Sequence, residues 1–141
     1  GTGKVDQCRL QFDAGLWMPT DRRGIPVGLS PVAGSDVDFR TGQAIGEQDV
    51  DVTFTDLTRD SDGLAWVTVS APETGTTSVW LDEGYPYVEI YTSHTQSGRY
   101  WRSGLGVEPM TCPPNGFASG TDVLSLEPGQ SAFARWGMKP E

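Results

Sequence analysis

Apolar residues along this chain alternate with polar ones instead of recurring every three or four positions. In "DVDVTFT" Val50, Val52 and Phe54 fall on one side of an extended backbone, while Asp51, Thr53 and Thr55 fall on the other. The same period-two pattern runs through "LAWVTVSA" (64–71), "TSVWLDE" (77–83), "YPYVEIYTS" (85–93), "DVLSLE" (122–127) and "SAFARWGM" (131–138), and more weakly through "QCRLQF" (7–12). It predicts strands near 50–56, 64–71, 77–82, 86–92 and 131–137. No window carries sustained helical spacing, and the 18 Gly and 10 Pro residues are scattered where they would interrupt helices. No helix of three or more turns is expected.

Turn chemistry separates the runs: "DSDG" (60–63), "PETG" (72–75), "DEGYP" (82–86) and "EPGQ" (127–130). Short alternating strands punctuated in this way predict an all-β fold, an antiparallel sandwich or barrel. The 141 residues suffice for one domain with its own core, taken as 1–141. The Gly- and Pro-rich stretch at 21–36 is closely flanked by apolar residues and reads as an ordered loop.

The charge balance narrows the partners. With 10 basic against 19 acidic residues the net charge is −9, which argues against nucleic acid or an anionic membrane surface. No apolar run is long enough to span a bilayer, and no signal-peptide pattern opens the chain. The chain does not begin with Met, as a cleavage product or a cut piece would not. Cys8 and Cys112 are the only cysteines and lie far apart. That is the pattern of reduced thiols in a cytoplasmic protein, although sequence leaves a single Cys8–Cys112 bridge open.

Few residues suggest a metal, a nucleotide or another cofactor. Asp60 and Asp62 before Gly63 resemble part of a calcium loop, but the twelfth position falls on Val69 where a bidentate Glu is required. No His/Cys cluster has zinc spacing, and no Gly-rich stretch opens a helix. The expectation is therefore no metal and no cofactor. His94, the only histidine, lies in the polar "SHTQSGR" and reads as a loop residue. A Cys112–His94 nucleophilic pair lacks a third, orienting group.

Five Trp and four Tyr on an acidic all-β chain point to sugar. Aromatic faces stack on the apolar faces of sugar rings, and carboxylates accept hydrogen bonds from hydroxyls. Taken singly, most of these aromatics are core or cross-strand residues. Two carboxylates stand out. Asp51 lies on the polar side of a clear strand. Glu108 lies in "GVEPMTCPPNGF" (106–117), where Pro109, Pro113 and Pro114 stiffen the backbone around it.

These segments resemble the aldose 1-epimerases, the galactose mutarotase-like family. "MPTDRRGIPVG" (18–28) is similar to the family's "lPvDerglPtG", and "PVAGSDVDFRTGQAIG" (31–46) to "pVagtpfDFR…ig". "DVTFTDL" (51–57) resembles the "lD…F" strand and "YPYVEIYT" (85–92) the "yPylqvyT" strand. "GVEPMTCPPNGF" is similar to "lavEpmtcpPnaf", the most specific segment, and "LEPGQSAFARWGM" (126–138) to the "L.PGes…w.i" ending.

The resemblance implies a large antiparallel β-sandwich (a supersandwich) with sugar in a cleft on one face. It implies cofactor-free interconversion of the α and β anomers of a free hexose such as glucose or galactose. Glu108 matches the family's base, which takes the proton from the C1 hydroxyl. Asp51, three residues before Phe54, matches a substrate-binding Asp. A glutamate of ordinary pKa, about 4.3, is mainly ionised at neutral pH, as a base requires. The family's two active-site histidines and its sugar-binding Arg have no match here, and His94 is not in a matching position. The chain therefore resembles the C-terminal half of such a protein, the upstream half being needed for catalysis, with exposed sheet edges and a half-covered core. Two other classes carry distinct expectations. A non-catalytic carbohydrate-binding sandwich would hold sugar without turnover. A glycoside hydrolase would use Asp51 and Glu108 as its pair of carboxylates and release reducing sugar from a glycoside.

Overall fold

In a computed structural model that describes residues 4–141, ten strands build two antiparallel sheets. The strands are β1 (Arg9–Phe12), β2 (Ala14–Met18), β3 (Ser30–Pro31), β4 (Gln43–Ala44), β5 (Asp51–Leu57), β6 (Ala65–Ala71), β7 (Gly75–Leu81), β8 (Tyr87–Tyr91), β9 (Gly106–Met110) and β10 (Trp136–Pro140). One sheet has the order β10-β7-β6-β1-β4 and the other β3-β2-β5-β8-β9. The single α-helix among the described residues, α1 (Gly116–Ser119), is one turn long. It is bounded by left-handed residues, Asn115 (φ 62°) and Gly120 (φ 75°). The expected all-β character is what the chain adopts.

Alternation places the core. From the first sheet Leu10, Phe12, Val67, Val79 and Leu81 point inward, and from the second Phe54, Val88 and Ile90 do; all are buried. Phe12 meets Phe54 edge-to-face with ring centroids 4.7 Å apart, and stacks on Phe39 from the loop between β3 and β4. Each such side chain contributes roughly 1.5–3 kcal/mol through burial.

The four inner strands expected from the pattern form within a residue or two of their predicted bounds. The last two runs behave differently. Residues 122–127 form no strand: Asp122 has φ 49° and Leu124 and Leu126 are exposed. The strand expected at 131–137 forms instead at Trp136–Pro140, against β7. Upstream of Trp136 the ladder ends where Asp82 N–H donates to Arg135 O, and Phe133 is left exposed. Alternation survives there, but no neighbouring strand supplies the hydrogen bonds. In the other direction, β9 had no alternation strong enough to mark it as a strand. Its Pro109 is tolerated because β9 is an edge, where a missing N–H need not break a ladder bond.

Arg102 ties the loops at one end of the sandwich together. It is buried (2% exposed) with φ 52°. Its Nε donates to Asp6 Oδ1 at 2.5 Å and its Nη1 to Asp49 Oδ1 at 2.8 Å. Its Nη2 donates to Gly46 O at 2.7 Å, and both terminal nitrogens reach Gln48 O. Beside it, buried Thr92 Oγ1 accepts from Val50 N–H at 3.1 Å, and Thr92 N–H donates to Val50 O at 2.9 Å. These contacts fix the chain immediately before Asp51 and the loop that leads into β9. Replacing Arg102 by Met should cost about 3 kcal/mol in urea denaturation, because the buried guanidinium's hydrogen bonds to Asp6, Asp49, Gly46 and Gln48 are lost together. Asp49, whose side chain is 63% exposed, should cost under about 1 kcal/mol when changed to Asn.

Candidate functional site

Residues directly opposite one another in an antiparallel ladder point to the same face. Across β5, β8 and β9, Phe54 pairs with Val88 and Val88 with Pro109; Val52 pairs with Ile90 and Ile90 with Val107. Phe54, Val88 and Ile90 are core residues, and Val52 and Val107 pack against that core. The intervening rows must therefore face outward. One row is Thr53–Glu89–Glu108 and the next is Asp51–Tyr91–Gly106. Asp51 and Glu108 thus share a face, on strands that flank β8, with both carboxylates exposed. Strand spacing and rise put their backbones about 12 Å apart.

Glu89 lies between them. Thr53, itself buried, donates its hydroxyl to Glu89 Oε2. The Glu89 carboxyl is pushed up to about 7, chiefly by burial and further by the charges of Asp51 and Glu108, with the Thr53 hydroxyl acting in the opposite direction. Met18 from β2, Met110 from β9 and the tyrosines of β8 share the face with these carboxyl groups. Tyr91 Oη lies 2.5 Å from Thr95 Oγ1 and accepts from Gln96 Nε2 at 3.3 Å. At Gly106 a Cβ would sit 3.0 Å from Glu108 Oε1 and 3.3 Å from Tyr91 Cβ, so glycine leaves the approach to Glu108 open. Tyr87 donates to Asp122 Oδ2, which anchors the C-terminal segment beside this face. Burial and that carboxylate push the phenol up to about 12.

His94 sits in the turn after β8, half-buried, with Nδ1 3.0 Å from Thr92 Oγ1 and its ring 5.6 Å from that of Tyr91. Cys8 and Cys112 are both free thiols, which settles the open pairing; burial and nearby Asp6 push the Cys8 thiol up. Among the described residues no group of three His, Cys, Asp or Glu side chains is arranged to hold a metal ion. Nor is any helix long and apolar enough to cross a membrane.

Glu89, Thr53 and Tyr91 were not singled out from sequence as site residues. The signal was present: Tyr87, Glu89 and Tyr91 occupy alternate positions of one strand, and Glu89 is the charged one. What sequence lacks is the register that sets Glu89 against Glu108. A separate cleft of about 490 Å³ opens elsewhere, at the margin between the two sheets. It is lined by Val69, Val79, Leu105, Val107, Trp136 and Met138 among others. Val107 faces that cleft while Glu108 faces away from it, so the cleft and the carboxylate face are distinct surfaces.

The family model for aldose 1-epimerase matches residues 1–139. The uncharacterized protein YihR of Escherichia coli K12 is 32% identical over 126 residues, which is 89% of this chain and 38% of that protein. The structure resembles that of a GalM/aldose epimerase homologue from C. elegans, with a TM-score of 0.74 and 17% identity over 98% of this chain and 47% of the other. It also resembles a putative aldose 1-epimerase from Escherichia coli K12, with a TM-score of 0.67 and 18% identity over 96% of this chain and 45% of the other. The fold is thus galactose mutarotase-like, and the chain spans less than half the length of each of these relatives.

The raised Glu89 carboxyl links stability to pH. A carboxyl that keeps its proton more tightly when folded contributes stability that is complete below its unfolded value and is lost as pH rises through about 7. Urea denaturation should therefore show stability falling between pH 5 and 8, with Glu89→Gln flattening that fall.

Proposed function

Because the chain belongs to the aldose 1-epimerase family, we propose that it is the base-bearing part of a mutarotase acting on a free hexose such as glucose or galactose. Glu108 takes the proton of the C1 hydroxyl. The oxygen's electron pair forms the C1 carbonyl as the bond from C1 to the ring oxygen breaks, and an acid delivers a proton to that oxygen. Rotation about C1–C2 and the reverse transfers close the ring on the other face of the aldehyde. Asp51 accepts a hydrogen bond from a sugar hydroxyl and holds the ring against Glu108. No cofactor takes part.

The observation that carries this reading is the shared outward face of Asp51 and Glu108, set by the β5–β8–β9 register. The open ground at Gly106 supports it, since a sugar has room beside the Glu108 carboxylate. The acid is assigned to a histidine upstream of the matched segments. The presence of further chain against this part is supported by the apolar cleft between the sheets and by exposed Phe133, Trp136 and Met138, surfaces that such chain would cover.

Polarimetry on freshly dissolved α-D-glucose or α-D-galactose tests the reading. The 141-residue chain should barely exceed the buffer rate, and a version extended upstream to include the histidines should be active. In that version Glu108→Gln keeps the shape but removes the base, and should lower the rate by about 10²–10⁴-fold. Full activity in the chain alone would mean an acid within it, His94 being the first suspect. Unchanged activity of the Glu108→Gln variant would remove Glu108 from the mechanism and favour a non-catalytic sugar-binding sandwich.

A further inference from the structure

We infer that His94, the only histidine in the chain, is a sugar-binding residue: its Nε2–H donates to the hydroxyl whose proton Asp51 accepts. The inference rests on the epimerase reading of the outward face. It adds a hydrogen-bond donor at the Asp51 end of that face, supplied by the turn that follows β8.

Position is the first argument. Asp51 and Tyr91 stand directly opposite each other and point outward, which sets their Cβ atoms about 5 Å apart. The His94 ring lies against the Tyr91 ring, with centroids 5.6 Å apart and planes inclined at 57°. Left-handed Ser93 (φ 54°) turns the chain back over the end of β8. Ser93 O accepts from Gln96 N–H at 3.2 Å and from Arg102 N–H at 3.1 Å, and Ser93 Oγ donates to Gly104 O at 2.8 Å. Thr95 Oγ1 and Gln96 Nε2, from the same turn, engage Tyr91 Oη. The turn is tied at its base and along its length, so a side chain carried on it is held in place.

The ring is also oriented. Fully buried Thr92 accepts the Val50 N–H on Oγ1 at 3.1 Å, which leaves its hydroxyl proton for Val50 O at 3.2 Å or for His94 Nδ1 at 3.0 Å. Val50 O already accepts the Thr92 N–H at 2.9 Å, whereas Nδ1 has no other donor among the described residues. The hydroxyl proton therefore goes to Nδ1, and the neutral ring carries its own proton on Nε2. Among the described residues Nε2 makes no hydrogen bond, and it is not one of the buried unpartnered atoms, so it reaches solvent. The bonds that hold His94 end on Val50, the neighbour of Asp51 in the chain. Donor and acceptor are thus anchored to one stretch of backbone.

That pairing suits a hydroxyl. The Asp51 carboxylate can only accept, so it takes the hydroxyl proton and leaves the oxygen's lone pairs free. Nε2–H supplies the donor that those lone pairs can use. An acceptor and a donor on one hydroxyl fix its direction as well as its place. A sugar without that hydroxyl leaves both groups unpaired and is disfavoured.

A lone histidine gives one unobscured set of imidazole NMR signals in the 141-residue chain. In the neutral ring, Nδ1 should carry the unprotonated ¹⁵N shift and Nε2 the protonated one. Added D-galactose should move the Nε2 and Cε1–H signals in parallel with the Asp51 amide. A neutral ring protonated at Nδ1 would overturn the inference, as would a ring that stays unmoved by galactose. Polarimetry of the upstream-extended protein supplies the second arm. His94→Ala should raise KM by about 3–10-fold, the loss of one hydrogen bond, at an unchanged kcat. His94→Gln, whose amide N–H can reach the same hydroxyl, should recover part of that loss. An unchanged KM in His94→Ala would make the histidine a structural residue only and overturn the inference. A fall in kcat of about 10²-fold or more would make His94 the acid and overturn it equally. A ring shifted by galactose, with no mutarotation in the extended protein, would count against the epimerase reading and not against the His94 contact.

Discussion

A one-residue slip of β5 against β8 would turn Asp51 and Thr53 into the core and Phe54 out to water, because side chains in a strand alternate strictly between faces. The burial of Phe54, Val88 and Ile90 is therefore the constraint on which the site depends. It fixes the register, and the register then determines which polar residues stand side by side. None of the ion pairs among the described residues involves Asp51, Glu89 or Glu108, so these groups do not draw the strands together. The apolar face holds the strands in the one alignment that brings these groups into adjoining rows.

The ends of those strands are fixed by a different means. Arg102 draws Asp6, Asp49 and the carbonyls of Gly46 and Gln48 to a single guanidinium, and Thr92 binds Val50 through its backbone and side chain. Both anchors lie within a few residues of Asp51 or Gly106. The carboxylate face is thus held by hydrophobic burial beneath it and by a buried, hydrogen-bonded cation at its margin. A planar guanidinium suits that role, since its five N–H groups leave in fixed directions and serve several acceptors at once.

Much of this was legible in the chain itself. Alternation at 50–56, 64–71, 77–82 and 86–92 marked the inner strands because these are buried on one face and solvated on the other. It overstated 122–127 and the start of 131–137, where the pattern exists but no neighbouring strand lies alongside. It passed over β9, whose glycine and proline obscure a strand that needs hydrogen bonds on one side only. Asp51 and Glu108 stood out through family resemblance. Glu89 was hidden in plain alternation, because pairing across strands is a long-range property that no local pattern encodes. Arg102 was equally silent: an isolated arginine in a loop gives no sign that it will be buried with two aspartates.

The two faces of the second sheet divide the work. The inward face builds the sandwich core and, at its margin, the apolar cleft bounded by Trp136 and Met138; the outward face gathers the carboxylates. The central claim is that sugar binds on the outward face, and titration of galactose into ¹⁵N-labelled protein tests it most directly. The account predicts amide shift changes concentrated at Asp51–Thr53, Glu89–Tyr91 and Gly106–Glu108, and largely lost in Asp51→Asn. Changes clustered instead on β6 and β7, or along the Trp136–Met138 cleft, would contradict it.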